Sequence, residues 1–220
     1  MSLPYHLVIL GPQGSGKGTQ AELLSKHFNM PMLDAGELSR KKSEESSELG
    51  RKVKNLIDKG FLIPFDVTRQ LVEEVLATVS EMQTVIFSSY PRAMGQVKDF
   101  EEILEKRKIK VKKVVLLNIG EETTYQRLSG RRICVSCEKN YYPPQSLTLK
   151  ECEKCGGKII RRDDDNKDAI KKRLSVYNND TLPVIKYFKK SKELIKINGE
   201  QSIEKVYQEI LQKLSEVRID

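Results

Sequence analysis

The stretch Gly11-Pro12-Gln13-Gly14-Ser15-Gly16-Lys17-Gly18-Thr19 constrains this chain more than any other. It follows the apolar run Leu7-Val8-Ile9-Leu10. It precedes a segment with helical spacing, Ala21, Leu23, Leu24 and Phe28. Strand, glycine-rich turn and helix in that order bring several backbone N–H groups to one point, and the helix N-terminus adds positive potential there. A phosphate answers both features. Lys17 is spaced to reach the outer phosphates of a nucleotide, so ATP or a relative is the expected ligand. The general pattern places Ser or Thr directly after the lysine as a Mg²⁺ ligand. Here Gly18 stands there and Thr19 follows.

The 220 residues suffice for one domain with insertions. No apolar run approaches the roughly 18 residues needed to span a bilayer. The first residues lack a charged segment followed by an apolar stretch, so a cytoplasmic protein without a secretory leader or membrane anchor is expected. The net charge of +8 favours anionic partners. Much of the excess lies in Lys106–Lys113 and Lys186–Lys192. The first run reads as a solvated helix end before the apolar strand Val114–Leu117. Tyr187-Phe188 is the one aromatic pair in these runs, short of the repeated interleaving of a single-strand binder, so no nucleic-acid partner is expected.

Short apolar runs recur at Leu7–Leu10, Val85–Phe87, Val114–Leu117 and Leu194–Ile197, with Met32-Leu33 as a further short strand. Such runs suit parallel strands buried on both faces. Amphipathic stretches at Val67–Val79, Val97–Leu104 and Ile203–Leu214 lie between or after them. The alternation predicts a doubly wound α/β fold. Two regions interrupt it. Asp34 to Ile63 is charged and helical in pattern, with Leu49, Val53, Leu56 and Ile57 on one face. Gly130 to Lys167 holds every cysteine, Pro143-Pro144, Gly156-Gly157 and Asp163-Asp164-Asp165. Both read as insertions, which divides the chain into a core at 1–33, 64–129 and 168–220 and insertions at 34–63 and 130–167.

Cys134-x-x-Cys137 and Cys152-x-x-Cys155 are two knuckles fourteen residues apart. Four thiolates can close around one tetrahedral Zn²⁺, leaving no open position, so the metal is expected to be structural. Iron or cobalt would satisfy the same ligands. Tyr141-Tyr142-Pro143 suits a hairpin between the knuckles.

Arg40, Arg92, Arg127, Arg131, Arg162 and Arg173 together with the phosphate loop make a clamp for phosphoryl groups, whose transfer needs positive charge more than acid–base chemistry. With these the chain resembles the adenylate kinase family of nucleoside monophosphate kinases in its long-lid, zinc-binding form. The motifs are Gly11–Gln20, Ala35-Gly36-Glu37-Leu38-Ser39-Arg40, Ser47-Glu48-Leu49-Gly50, Tyr90-Pro91-Arg92 with Gln96, Arg127-x-x-x-Arg131-Arg132, the paired cysteines, Arg162-Asp163-Asp164 and Lys172-Arg173-Leu174-x-x-Tyr177. The resemblance implies a five-stranded parallel core of the P-loop NTPase type. One mobile insertion would close on the acceptor monophosphate, and a zinc-ribbon lid would close on the donor.

It also implies the site. Gly14, Ser15, Gly16, Lys17, Gly18 and Thr19 would hold the donor phosphates. Arg131 and Tyr141 would lie against the donor from the lid, and Gln201 near its base. Arg40 and Arg92 would grip the acceptor phosphate. Ala35, Leu62, Ile63 and Ser89 would border the acceptor base, and Gln96 would read it. Lys17, Arg92, Arg127, Arg131, Arg162 and Arg173 would carry catalysis. A glutamine amide pairs a donor with an acceptor, as an adenine edge does, which favours AMP. The implied reaction is MgATP plus AMP giving two ADP, by a monomer.

Three departures stand against the family pattern. Ala35 replaces a threonine near the acceptor base. Ser88-Ser89 replaces Asp-Gly before Tyr90-Pro91-Arg92. The missing carboxylate is expected to raise the Mg²⁺ requirement, unless Asp34 or Glu37 takes its place. Two other readings remain beside adenylate kinase at this point: a nucleotide binder without turnover, or a kinase with another acceptor base. A zinc-ribbon nucleic-acid binder is the reading from a different class.

Overall fold

The computed structural model describes residues 2–109 and 112–217. Its centre is a parallel sheet in the order β2-β3-β1-β4-β8. These strands are β1 (His6–Leu10), β2 (Met32–Asp34), β3 (Ile86–Ser88), β4 (Lys112–Asn118) and β8 (Leu194–Asn198). Every residue of β1 is buried, as an aliphatic run in the middle of a covered sheet must be. Side chains alternate between faces. Val8 and Leu10 pack with Val72, Phe100, Val184 and Phe188. Leu7 and Ile9 pack with Ala21, Leu24, Val206 and Ile210. The first face carries α4 (Phe65–Leu76), α5 (Met94–Glu105) and α8 (Leu182–Lys190), and the second carries α1 (Lys17–Phe28) and α9 (Ile203–Ser215). The expected doubly wound sheet is present, with Met32-Leu33 as a strand paired to β3.

Between β2 and α4 the chain forms α2 (Ala35–Glu44) and α3 (Glu48–Asp58). Asp34 caps α2 by accepting from Glu37 N–H, and Ser47 caps α3 by accepting from Gly50 N–H. Val53 is fully buried with Ile63 and Val67, and Leu49, Leu56 and Ile57 pack beside it as their spacing requires. After α6 (Glu121–Ser129) come β5 (Arg132–Cys134), β6 (Asn140–Tyr141) and β7 (Ile159–Arg161). These make a separate antiparallel sheet in the order β6-β5-β7. A helical run then continues from α7 (Lys167–Val176) through one π turn at Tyr177–Thr181 into α8.

The basic run at Lys106–Lys113 departs from expectation. Lys110 and Val111 lie outside the described residues. Arg107 is buried rather than solvated, and its Nη2 donates to the carbonyls of Ser80 and Gln83 (2.9 Å for Gln83). A guanidinium anchored by two carbonyls through one nitrogen, its Nε left without a partner among the described residues, packs where a lysine would keep its head in water. Nearby His6 is fully buried. Its Nδ1 accepts from Val85 N–H at 3.0 Å, which leaves Nε2 to donate to Ile109 O at 2.7 Å. Burial pulls its pKa down to about 4. No helix among the described residues is long and apolar enough to cross a membrane.

Candidate nucleotide and metal sites

The strand order reverses at β1, and the phosphate loop leaves the C-terminal end of that strand, where crevices of open α/β sheets form. The glycines are required by shape. At Gly11 a Cβ would lie 2.4 Å from Leu117 O, and Gly16 enters α1 at φ 91. The first amides of α1 have no helical partner until Gln20 N–H reaches Gly16 O. Ser15 Oγ is buried with no hydrogen-bond partner. A buried orphan hydroxyl beside unpaired amides is costly unless an anion completes it. Lys17 Nζ donates to Gly11 O at 2.9 Å and Pro12 O at 2.8 Å. Burial, then the nearby Arg92, pulls its ammonium down to about 7, against an upward pull from Asp34.

The loop opens on a cleft of about 1360 Å³ bordered by α2, the 60–63 segment and the small antiparallel sheet. That exceeds the several hundred Å³ of a one-ligand pocket and suits two nucleotides. Arg40, Arg92, Arg127, Arg131, Arg162 and Arg173 all line it, as do Gly14 to Thr19, Ala35, Leu62, Ile63, Ser89, Gln96, Tyr141 and Gln201. The arginines divide by partner. Arg131 is held by both oxygens of Asp165, at 2.7 and 2.6 Å. Arg162 forks onto Asp164 at 2.9 and 2.7 Å. Arg173 bridges Asp164 and Asp165. Three guanidiniums thus share two buried carboxylates, and the cations around Asp164 hold its carboxyl well below the usual range even though burial pushes the other way. Arg127 instead braces the phosphate loop, donating to Gly14 O at 3.2 Å and Gly199 O at 3.0 Å.

Arg92 is fixed at three points. Its Nε donates to Ser89 O at 2.6 Å, its N–H donates to Gln96 Oε1 at 2.8 Å, and its carbonyl accepts from Thr181 Oγ1 at 2.9 Å. The last contact comes from the π turn, a distortion often found at functional positions. Burial lowers its pKa to about 10, with Arg40 and Arg173 adding repulsion and Asp34 opposing it. Gln96 Nε2 reaches Thr68 Oγ1 at 3.4 Å, and that hydroxyl is itself spent on Pro64 O at 3.1 Å. The Gln96 amide is therefore held in one orientation. Ser89 sits at φ 63, so a serine occupies left-handed backbone that glycine adopts freely. Ser88 Oγ donates to Asp34 Oδ2 at 2.5 Å.

The four cysteine sulfurs lie within 4.8 Å of one another, with Cys134–Cys155 and Cys137–Cys152 both at 3.5 Å. A tetrahedral zinc with bonds of about 2.3 Å sets its sulfurs about 3.8 Å apart, so the cluster fits that ion. Tyr141 is 1% exposed. Its hydroxyl accepts from Glu153 N–H at 3.1 Å and lies 3.2 Å from Cys152 Sγ, to which it donates. That bond leads the causes lowering the Cys152 thiol to about 6. The hydroxyl of Tyr141 thus serves the thiolate centre, while its neighbour Tyr142 lines the cleft. Gln201 Nε2 is tied to Asn198 O and Glu209 at the opposite wall.

Sequence reasoning gave no role to Asp165 or Thr68. Asp165 lies outside the Arg162-Asp163-Asp164 motif, and what marks it is its burial against Arg131 and Arg173. Thr68 lies in an amphipathic helix with nothing to mark it.

The adenylate kinase family matches residues 9–193. Adenylate kinase from Thermoanaerobacter sp. (strain X514) is 33% identical over 212 residues, covering 96% of this chain and 98% of that protein. Adenylate kinase from Caldicellulosiruptor bescii is 35% identical over 212 residues, covering 94% and 98%. Adenylate kinase from Methanocella arvoryzae is 38% identical over 203 residues, covering 90% and 93%. With the phosphate loop, the arginine-lined cleft and the thiolate cluster already in place, these similarities over nearly the whole length settle the relationship: the chain belongs to the adenylate kinase family.

Proposed function

We infer that this protein transfers the γ-phosphoryl group of ATP to AMP, reversibly, giving two ADP. The observation that carries the reading is one cleft with two anion-binding ends. The phosphate loop forms one end and Arg40 with Arg92 the other, and Arg127, Arg162 and Arg173 lie along the same cleft. Phosphoryl transfer needs in-line placement and stabilisation of spread negative charge, and that is what such a set supplies.

Lys17 and the amides of Gly14 to Thr19 hold the donor phosphates, and Ser15 Oγ gains its missing partner. Arg131, with Tyr142 beside it, faces the donor from the lid, Tyr141 backs that wall, and Gln201 lies near the donor base. Ala35, Leu62, Ile63 and Ser89 border the acceptor base. Gln96 presents its remaining N–H and carbonyl lone pair to that base, and their fixed order matches an adenine edge. Magnesium carried in with ATP neutralises charge on the outer phosphates. The carboxylates of Asp164 and Asp165 keep Arg131, Arg162 and Arg173 in place before substrate arrives, so less ordering remains when it binds. Residues 34–63 and 130–167 close over the acceptor and donor, which excludes water that would otherwise take the phosphoryl group. Zinc in the thiolate cluster is structural. The unpaired thiols accord with a cytoplasmic setting, and the reading needs neither a second copy nor nucleic acid.

An acceptor panel tests this. With ATP and Mg²⁺, AMP is expected to be the preferred acceptor over CMP, GMP and UMP. Gln96→Ala should weaken AMP use several-fold and blur the choice, as a lost base contact costs about 1–3 kcal/mol. Equal turnover of AMP and CMP by the unaltered protein would overturn the acceptor assignment.

A further inference from the structure

The carboxylates lining the cleft differ in how they are occupied. Glu22, Glu37 and Asp164 are each held by a lysine or arginine, and Glu138 stands exposed on the lid. Asp34 makes no ion pair among the described residues, although it faces the phosphate loop. A Cβ on Gly18 would lie 3.9 Å from Asp34 Oδ2. Each Asp34 oxygen accepts one hydrogen bond from the protein. Oδ1 takes Glu37 N–H at 2.8 Å, and Oδ2 takes Ser88 Oγ at 2.5 Å. Strand register explains the second, because Asp34 and Ser88 are paired neighbours at the C-terminal ends of β2 and β3. The carboxylate is therefore oriented, negatively charged, and left with free lone pairs at the mouth of the donor site.

We propose that Asp34, oriented by Ser88, is the acceptor for waters on the magnesium ion that accompanies the donor nucleotide. The proposal rests on the phosphoryl-transfer reading above. Magnesium surrenders its waters reluctantly and is steered by carboxylates that accept from them. Gly18 offers no hydroxyl to the ion, and Ser88 brings no charge, so Asp34 is placed to supply both direction and charge. Residues 34 and 88 form a single carboxylate–hydroxyl pair in which the carboxylate sits on the outer strand. Ser88→Asp alone would then set two carboxylates against each other within hydrogen-bond distance, and one of them would take up a proton. The single substitution is expected to impair metal binding.

Mn²⁺ binding, read by electron paramagnetic resonance in the presence of AMP and an ATP analogue that cannot transfer its phosphoryl group, tests the assignment without turnover. Asp34→Ser keeps a good helix cap, and circular dichroism checks its fold. It should weaken Mn²⁺ by about tenfold or more. Its affinity for ATP in EDTA should not fall, because it has lost only a negative charge. The exchanged pair, Asp34→Ser with Ser88→Asp, should recover most of the Mn²⁺ affinity. Unchanged Mn²⁺ binding in folded Asp34→Ser, or an exchanged pair as weak as that single variant, would overturn the proposal. Wild-type protein that binds neither ATP nor Mn²⁺ would instead overturn the functional reading beneath it.

Discussion

Lys17 is held in a basic, half-buried place by the carbonyls of Gly11 and Pro12, with the charge of Asp34 nearby. Its folded pKa of about 7 lies below its ordinary 10.5. Between those values the unfolded chain holds a proton that the folded one lacks, so the stability of the nucleotide-free protein should rise with pH across the window. Below about pH 7 the burial penalty is present in full. Lys17→Met removes it. This variant should be at least as thermostable as the parent at pH 6 without nucleotide, should flatten the pH dependence of the melting temperature between 7 and 10, and should lose ADP formation by orders of magnitude. Nucleotide phosphates restore the charge, so ATP binding near pH 7.5 should take up protons. Calorimetry in buffers of different ionisation enthalpy measures that uptake, and its absence would contradict the environment assigned to Lys17.

Ser89 holds left-handed backbone, at φ 63. Left-handed backbone costs a non-glycine residue about 1–2 kcal/mol, and glycine gives back part of this in chain entropy. Ser89→Gly should therefore leave the melting temperature unchanged or raise it by about 2–4 °C. A drop of several degrees would show that the serine hydroxyl contributes packing or bonding that outweighs the backbone term.

Among the elements, the small sheet β6-β5-β7 has the least apolar support. Its buried cluster is Cys134, Tyr141 and Cys152, with little aliphatic material beside them. A bound metal then carries much of the folding free energy of this part. About one equivalent of zinc is expected on elemental analysis, and chelation or Cys152→Ser should lower the melting temperature. Tyr141→Phe should hasten metal loss to a chelator, because it removes the hydroxyl that supports the Cys152 thiolate. Equal melting of metal-free and metal-loaded protein would refute a structural role.

The elements also show what a sequence displays and what it hides. The strands were legible because runs such as Leu7–Leu10 are apolar on both sides of the pleat, which only a covered sheet tolerates. The knuckles were legible because thiolate spacing is dictated by the ion. Arg107 was not, since a buried guanidinium on loop carbonyls looks in sequence like any other charge in a basic run. Nor was the Tyr141 hydroxyl bond to Cys152, which depends on how the hairpin folds back on the second knuckle. Asp34 was visible only as one of two acids near Ser88. The register between β2 and β3 decides between them, and register across non-adjacent segments is not written in either segment alone.

For the whole molecule, the cleft lies between parts that meet at contacts such as Lys172 Nζ over the Phe61 ring, 4.2 Å from its centroid. Asn166 Nδ2 to Asp58 O, at 3.5 Å, is one contact between the end of α3 and the lid side. In the proposed reaction, closing of residues 34–63 and 130–167 would bring many like charges together, so phosphates should be needed to hold the closed form. Nucleotide should protect residues 34–63 and 130–167 from hydrogen exchange more than the sheet strands, which are already buried.

Reversible transfer between two bound nucleotides requires that ADP alone be converted. Purified protein supplied with ADP and Mg²⁺ as its only nucleotide and metal is followed by ³¹P nuclear magnetic resonance. ATP and AMP should appear in equal amounts until equilibrium, without inorganic phosphate, and Lys17→Met should abolish the conversion. ADP left unchanged by folded wild-type protein, or degraded to AMP and free phosphate, would rule out this reaction.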